Sequence, residues 1–285
     1  MTWAELPGES GPISLQEPVL RLLRDLIHER TGIFVEADNF SSIREKLEPL
    51  ARGRKCPSYL DYYYLLKYDE TGAQEWRRVL DAFSVQETYF WREQDQIRVL
   101  VDHVVPGWFR EASAPLRIWS AACATGEEPY SLAMALIEGG WGQHPIEILA
   151  SDASEAALAK ARIGAYRERS FRALPSVLRE KYFEPLSGGA RVLPAIQARV
   201  DFRWANLMEL SAFPEARTLH VIFCRNVFIY FSRTAITRVV AAFAERMPVG
   251  AHLFVGASES LLKLTTEFDL QEIAGAFVYR RQAAR

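Results

Sequence analysis

Apolar positions in the first eighty residues recur with helical spacing. Val19, Leu22, Leu23, Leu26 and Ile27 fall at i, i+3, i+4, i+7 and i+8, and Gly32 follows as a stop. A second helix is predicted after Ser41 or Ser42, with Ile43, Leu47 and Leu50 on one face. A third covers SYLDYYYLLK and packs Tyr59, Leu60, Tyr63, Tyr64 and Leu66, while DETGAQE at 69–75 reads as a turn. Residues 16–82 are therefore expected to form a small all-α domain, preceded by a Pro-, Gly- and Ser-rich flexible tail at 1–15.

From Leu116 the period changes. LRIWSA, IEILAS, VDFRW, LHVIFC and AHLFVGA each suit a buried strand, and helical patterns such as EEPYSLAMALIEGG and SEAALAKARIGAY fall between several of them. Alternating β and α predicts a doubly wound, mostly parallel sheet over residues 83–285. EFDLQEI and AFVYRR are close enough to form an antiparallel edge hairpin. Residues 166–199, with SGGAR at their centre, read as an inserted subdomain.

Composition narrows the function. A chain of 285 residues with a net charge of -2 gives no reason to expect bulk nucleic-acid binding. Cys56, Cys123 and Cys224 are far apart and form no CxxC pair, which argues against a disulfide framework or a zinc site. The N-terminus MTWAELPGESGPIS lacks the basic and apolar regions of a signal peptide, and no stretch approaches the ~18 apolar residues of a membrane span. A cytoplasmic protein without a metal is the expectation.

The most informative stretch is AACATGEEPYS at 121–131. Ala121, Ala122, Ala124 and Gly126 let a ligand approach the backbone after the first strand. Glu127 and Glu128 put acid where a phosphate-binding loop needs a bare helix N-terminus. A carboxylate ~4 Å from a phosphate charge costs about 4 kcal/mol at an effective dielectric near 20. S-adenosylmethionine carries an ammonium and a sulfonium but no phosphate, so it suits such a loop. The competing reading is that both glutamates only complement the helix dipole, with Pro129 favouring a helix start. Asp152, at the end of the second strand, can accept from a ribose diol; alternatively Asp152 or Ser154 caps the next helix. LHVIFCRNVFIYF places Arg225, Asn226 and Tyr230 at the sheet's ligand-binding edge. It lacks the prolines of the D/N-P-P-Y/F motif of base-amino methyltransferases.

WSAACATGEEPYSLAMAL, ASDASEAALAKARIGAY, NLMEL, FCRNVFIYF and, before the first strand, SVQETYFWRE occur in an order that resembles the CheR family of chemotaxis receptor methyltransferases. The resemblance implies a Rossmann-like α/β methyltransferase sheet with a small all-α N-terminal domain and a small antiparallel β-subdomain insertion. It implies S-adenosylmethionine as cofactor, S-adenosylhomocysteine as product, and methyl esters of receptor glutamates as the outcome. Gln86, Thr88 and Arg92 would reach the cofactor from the interdomain segment, beside the small-residue loop at Ala122. Glu128 would hold the methionine ammonium, Asp152 the ribose, and Asn206 and Leu207 the adenine. Arg225 and Asn226 would line the pocket, with Arg92 and Tyr230 nearest the transferring methyl. Read without the family, Ser84-Val-Gln-Glu87 is a capping box that opens an amphipathic helix.

The chain departs from the family pattern in places. Gln86 stands where better-known members carry Asn. The second helix, expected to dock the methylation helices of a membrane receptor, carries Arg44, Lys46, Arg52, Arg54 and Lys55 but also Glu45 and Glu48. SGGAR is shorter than the loop of relatives that bind a receptor tether peptide, so independence of a tether is expected. A substrate carboxylate, with a pKa near 4.3, is already a nucleophile at neutral pH and requires no base. His28 and His220 are read as helix and strand fillers. A small-molecule or RNA methyltransferase and a non-catalytic cofactor-sensing scaffold are the alternatives.

Overall fold

The computed structural model describes residues 17–36, 39–70, 72–216 and 218–283. The tail expected at 1–15 lies outside the described residues. Two compact units emerge, one of the helical residues up to Arg30 with Phe34–Phe83, the other of Thr31–Ile33 with everything from Ser84 onward.

The first unit contains α1 (Glu17–Thr31), α2 (Phe40–Gly53), α3 (Tyr59–Tyr68) and α4 (Gly72–Phe83). Helix α1 stops before Gly32, which adopts a left-handed φ of +75°. Its buried face is Val19, Leu20, Leu23, Leu26 and Ile27, whereas Leu22 is exposed. Ser58 caps α3 by accepting from the Asp61 N–H. The buried face of α3 is Tyr59, Tyr62, Tyr63 and Leu66; Leu60 and Tyr64 point outward, contrary to the sequence reading. The reason is a buried polar partner: Tyr62 Oη donates to Glu75 Oε1 at 2.8 Å, with Arg78 3.4 Å and Arg54 3.7 Å from the other carboxylate oxygen. Glu75 is 2% exposed on α4, which begins at Gly72, so residues 72–75 of the predicted turn are helical instead.

In the second unit, residues 84–89 have no regular secondary structure where a helix was expected. Trp91 and Glu93 take left-handed φ of +67° and +52°, and α5 (Gln94–Val99) starts only after them. It continues through a π-helical stretch, Leu100–Val104, into α6 (Val105–Glu111). The interruption lies where Pro106 removes a backbone donor.

Then follow β1 (Leu116–Ala121), α7 (Glu127–Glu138), β2 (Ile146–Asp152), α8 (Glu155–Ile163) and β3 (Ala165–Arg167). After them come α9 (Ser176–Tyr182), β4 (Phe183–Leu186), β5 (Gly189–Val192), α10 (Pro194–Gln197) and β6 (Val200–Trp204). The chain closes with β7 (Val221–Cys224), α11 (Arg233–Ala244), β8 (His252–Val255), β9 (Phe268–Ile273) and β10 (Ala276–Arg281). The seven-stranded sheet has the order β6-β2-β1-β7-β8-β10-β9. Strands β6 to β8 in that order are parallel, and β10 is antiparallel to both its neighbours. The insertion is a separate antiparallel sheet, β3-β5-β4.

Period-two alternation builds a core on each face of the large sheet. Leu116 and Ile118 of β1 and Val221 and Phe223 of β7 join the layer that contains Tyr130, Leu132 and Leu136 of α7. Trp119, Ala121, Ile222 and Cys224 face the layer that contains Val239, Val240 and Phe243 of α11. The two faces fix which way each residue beyond a strand end can point, and so position the site.

Candidate active site

Strand β1 is flanked by β2 and β7, and the crevice beyond their carboxyl ends is where such sheets bind ligands. The loop that follows β1 is strained in a specific way. Ala122, Ala124 and Gly126 have φ of +58°, +48° and +94°. For the two alanines this conformation costs on the order of 1–2 kcal/mol each. Hydrogen bonds hold it: Ala124 N–H to Asp152 Oδ2 at 2.8 Å, Cys123 N–H to Ser151 O at 2.8 Å, and Tyr166 Oη to Thr125 O at 2.6 Å. A Cβ on Gly126 would lie 2.8 Å from Ala161 Cβ, so no side chain fits there.

Asp152 is buried, and its Oδ1 accepts the Ser154 N–H at 2.8 Å. The cap of α8 is Ser154, whose Oγ accepts from Ala157 N–H, so Asp152 is not that cap. Gln86 reaches the same corner, with Nε2 3.2 Å from Ser154 Oγ and Oε1 3.2 Å from Lys160 Nζ. Gln86 and Thr88 line a 520 Å³ cleft with Thr125, Glu127, Lys160 and Arg169.

The two glutamates of the loop diverge. Glu127 turns inward, 2% exposed, and accepts from Thr125 Oγ1 at 2.6 Å and Ser170 Oγ at 3.0 Å. Burial pushes its carboxyl up from the usual range, and those two hydroxyls partly oppose this. Glu128 turns toward β7: Ser120 Oγ donates to Oε1 at 2.7 Å and Arg225 Nε to Oε2 at 2.8 Å. Both residues occupy the first turn of α7, where negative charge suits the helix dipole.

Arg225 is the hub. Its guanidinium also donates to Gln96 Oε1 at 3.3 Å and to the backbone carbonyl of Arg92 at 2.8 Å. Gln96 is tied in turn to Val255 O at 2.8 Å. Glu93 Oε1 accepts from Asn226 Nδ2 at 3.4 Å, while Glu93 Oε2 is sealed from solvent without a hydrogen-bond partner, 4.0 Å from Arg225 Nη1.

Sequence-predicted residues are thus gathered unequally. Glu128 and the Arg92 backbone carbonyl meet the Arg225 guanidinium, Asn226 is linked to it through Glu93, and Gln86 joins Asp152 through Ser154. Asn206 and Leu207 are buried just past β6, with Asn206 Oδ1 accepting the Met208 N–H at 3.0 Å. Tyr230 is exposed on a 3-10 turn, Phe228–Tyr230. The Arg92 guanidinium donates to Glu87 O at 3.3 Å and sits 5.4 Å from the Tyr89 ring centre. Among the described residues no hydrogen bond, ion pair or ring contact joins Arg92 to Tyr230.

Sequence reasoning missed Gln96, Glu93 and Ser120 as partners, and Glu259 beyond β8. Only Glu259 carried a signal, an acid just past a buried strand. Cys123 and Cys224 are buried beside the site, and burial pushes both thiols well up, so neither is a thiolate nucleophile at neutral pH. His220 is structural as expected: Nδ1 accepts the Arg117 N–H at 3.0 Å, its ring lies 4.1 Å from Trp108, and burial lowers its pKa.

Residues 86–276 match the family described as "CheR methyltransferase, SAM binding domain", and residues 18–84 match "CheR methyltransferase, all-alpha domain". Chemotaxis protein methyltransferase 2 of Vibrio cholerae is 34% identical over 253 residues, covering 87% of each chain. Chemotaxis protein methyltransferase 1 of Pseudomonas aeruginosa is 30% identical over 267 residues, covering 91% of this chain and 96% of its own. Chemotaxis protein methyltransferase 1 of Vibrio cholerae is 32% identical over 276 residues, covering 94% and 98%.

Proposed function

The chain belongs to the CheR methyltransferase family, and from that premise we propose that it esterifies glutamate side chains of a chemoreceptor-type signalling protein with the methyl group of S-adenosylmethionine. The observation that carries the reading is the pairing of the left-handed, side-chain-poor loop after β1 with Glu128 in the first turn of α7 and Asp152 at the end of β2. The residues present fit the cofactor. Gly126 leaves no side chain at the loop, and Glu93 Oε2 is a buried acceptor still lacking a donor. Acid beside the loop suits a ligand with two cationic groups and no phosphate.

Asp152 would hold the ribose hydroxyls from the end of β2. Asn206 and Leu207 would border the adenine. Glu128 would receive the methionine ammonium while Arg225 holds its carboxylate in place, and Gln86, Thr88 and Ala122 would complete the wall. Bound S-adenosylmethionine supplies an electrophilic methyl on a sulfonium; transfer to a carboxylate oxygen forms the ester and releases S-adenosylhomocysteine, with no proton moved. Arg92 would orient the incoming carboxylate, and Tyr230 would steady its second oxygen. Alignment of this kind supplies about 7–11 kcal/mol of a barrier.

Residues 16–82 are assigned to receptor docking, and the reaction to the cytoplasmic side of the membrane. Helix α2 contributes fewer free cations than its sequence suggests. Lys46 Nζ donates to Ala82 O at 3.0 Å, and Arg54 faces the buried Glu75. Arg44 and Lys55 are exposed, and the exposed Arg52 pairs with Glu48 at 2.8 Å. Strands β4 and β5 are joined by Ser187 and Gly188 alone, which supports action without a tether peptide.

The test is incubation of the purified chain with methyl-labelled S-adenosylmethionine and membranes of the source cell. Label on a membrane receptor that alkali releases as methanol is the expected result. Alkali-stable label, or none, overturns the ester reading.

A further inference from the structure

Glu259 lies in the loop after β8, outside every motif named above. Its carboxylate gathers three backbone donors from two loops. Oε2 accepts from Asn226 N–H at 2.8 Å and Gly256 N–H at 2.6 Å, and Oε1 accepts from Ile229 N–H at 3.2 Å. Asn226 is held in a left-handed conformation, φ +59°. The two loops approach so closely that a Cβ on Gly256 would meet Asn226 Nδ2 at 2.6 Å and Glu259 Oε2 at 2.9 Å. A carboxylate accepting several N–H groups is a strong, directional clamp. It fixes the start of the loop after β7 and the turn that carries Tyr230.

Arg225 does not share this dependence, because Glu128, Gln96 and the Arg92 carbonyl hold its side chain. We propose that Glu259 is a positioning residue for methyl transfer, setting Asn226 and the Tyr230 turn without contacting cofactor or substrate. The inference rests on the assignment of Tyr230 to the reacting site. Glu259 would then govern turnover, while cofactor affinity, carried by the β1 loop and Asp152, would be nearly independent of it.

The experiment compares Glu259→Gln, Glu259→Ala, Tyr230→Ala and the Glu259→Gln/Tyr230→Ala double variant of the full chain. Readouts are kcat with source-cell membranes, S-adenosylmethionine Kd and Tm. Gln keeps one oxygen acceptor and the side-chain shape, so Glu259→Gln should lower kcat about tenfold and Glu259→Ala further, with Kd changed less than about threefold. In the Tyr230→Ala background the same Gln change should cost under about threefold, because both act through one turn. An unchanged kcat in Glu259→Gln overturns the inference, as does an equal proportional loss in both backgrounds. Loss of Kd and Tm together at unchanged kcat also overturns it. If Tyr230→Ala alone leaves kcat unchanged, the assignment of Tyr230 fails and the inference falls with it. Should Glu259→Ala not fold, the Gln variants decide the matter.

Discussion

Arg225 Nε lies 2.8 Å from Glu128 Oε2, joining the end of β7 to the first turn of α7. Their side chains are 3% and 12% exposed, so the pair is held away from water. The Arg225 guanidinium has three further acceptors within 4.0 Å, which offset its desolvation and give it one orientation. The acid that would greet a cationic ligand is therefore pinned to the strand that carries the next site residues.

Removal of one partner from this pair is expected to be costly. Arg225→Ala leaves the partly buried Glu128 with only the Ser120 hydroxyl, and a loss of up to about 3–5 kcal/mol of stability is predicted from urea titration. Adding Glu128→Gln should recover part of that loss, since the stranded charge disappears. A double variant as unstable as the sum of the two singles would show that the pair is not coupled.

Asp152→Ala is expected to weaken both S-adenosylmethionine and S-adenosylhomocysteine by roughly 1–3 kcal/mol in calorimetric titration. It would remove the proposed ribose acceptor and also free the Ala124 N–H that holds the left-handed loop. Both ligands should raise the Tm of the unsubstituted chain, whereas NAD and ATP should not. Equal stabilisation by NAD would contradict the reading of the loop.

The exposed cations on and just past α2 should act on delivery rather than on folding. Arg44→Glu with Lys55→Glu is predicted to raise KM for receptor membranes, with less effect at high salt and an unchanged Tm. Arg54→Glu should instead lower Tm, because it places a second acid beside the buried Glu75. An unchanged KM in the double variant would move docking to another surface.

Stability should fall on mild acidification. Burial, reinforced by nearby Arg280, pushes the His252 imidazole down from 6.5 to about 4. The unfolded chain thus binds a proton between those values that the folded chain refuses. This contribution is complete above about pH 6.5 and is lost as pH falls toward 4. His252→Asn should flatten the decline of Tm between pH 7 and pH 5. A slope identical to that of the unsubstituted chain would place the acid sensitivity elsewhere.

Local pattern was enough for the element types. Short apolar runs such as LRIWSA and VIFC marked buried strands, spacing in the first eighty residues marked helices, and small residues beside acid marked the ligand loop. Those signals lie within a few adjacent positions of the chain. What the sequence did not disclose was pairing across distance. Arg225 meets Glu128 across 97 positions and Arg92 across 133, and Glu259 reaches back 33 to Asn226. Tyr62 replaced Leu60 and Tyr64 in the helical core because Glu75 required its hydroxyl. Ser84 opened no helix where its capping box predicted one; the chain there is irregular, with Gln86 beside Ser154 and the Phe90 N–H on Ser170 O. In each case a buried polar group had to find its partner, and only the tertiary fold decides which distant partner comes within hydrogen-bonding reach.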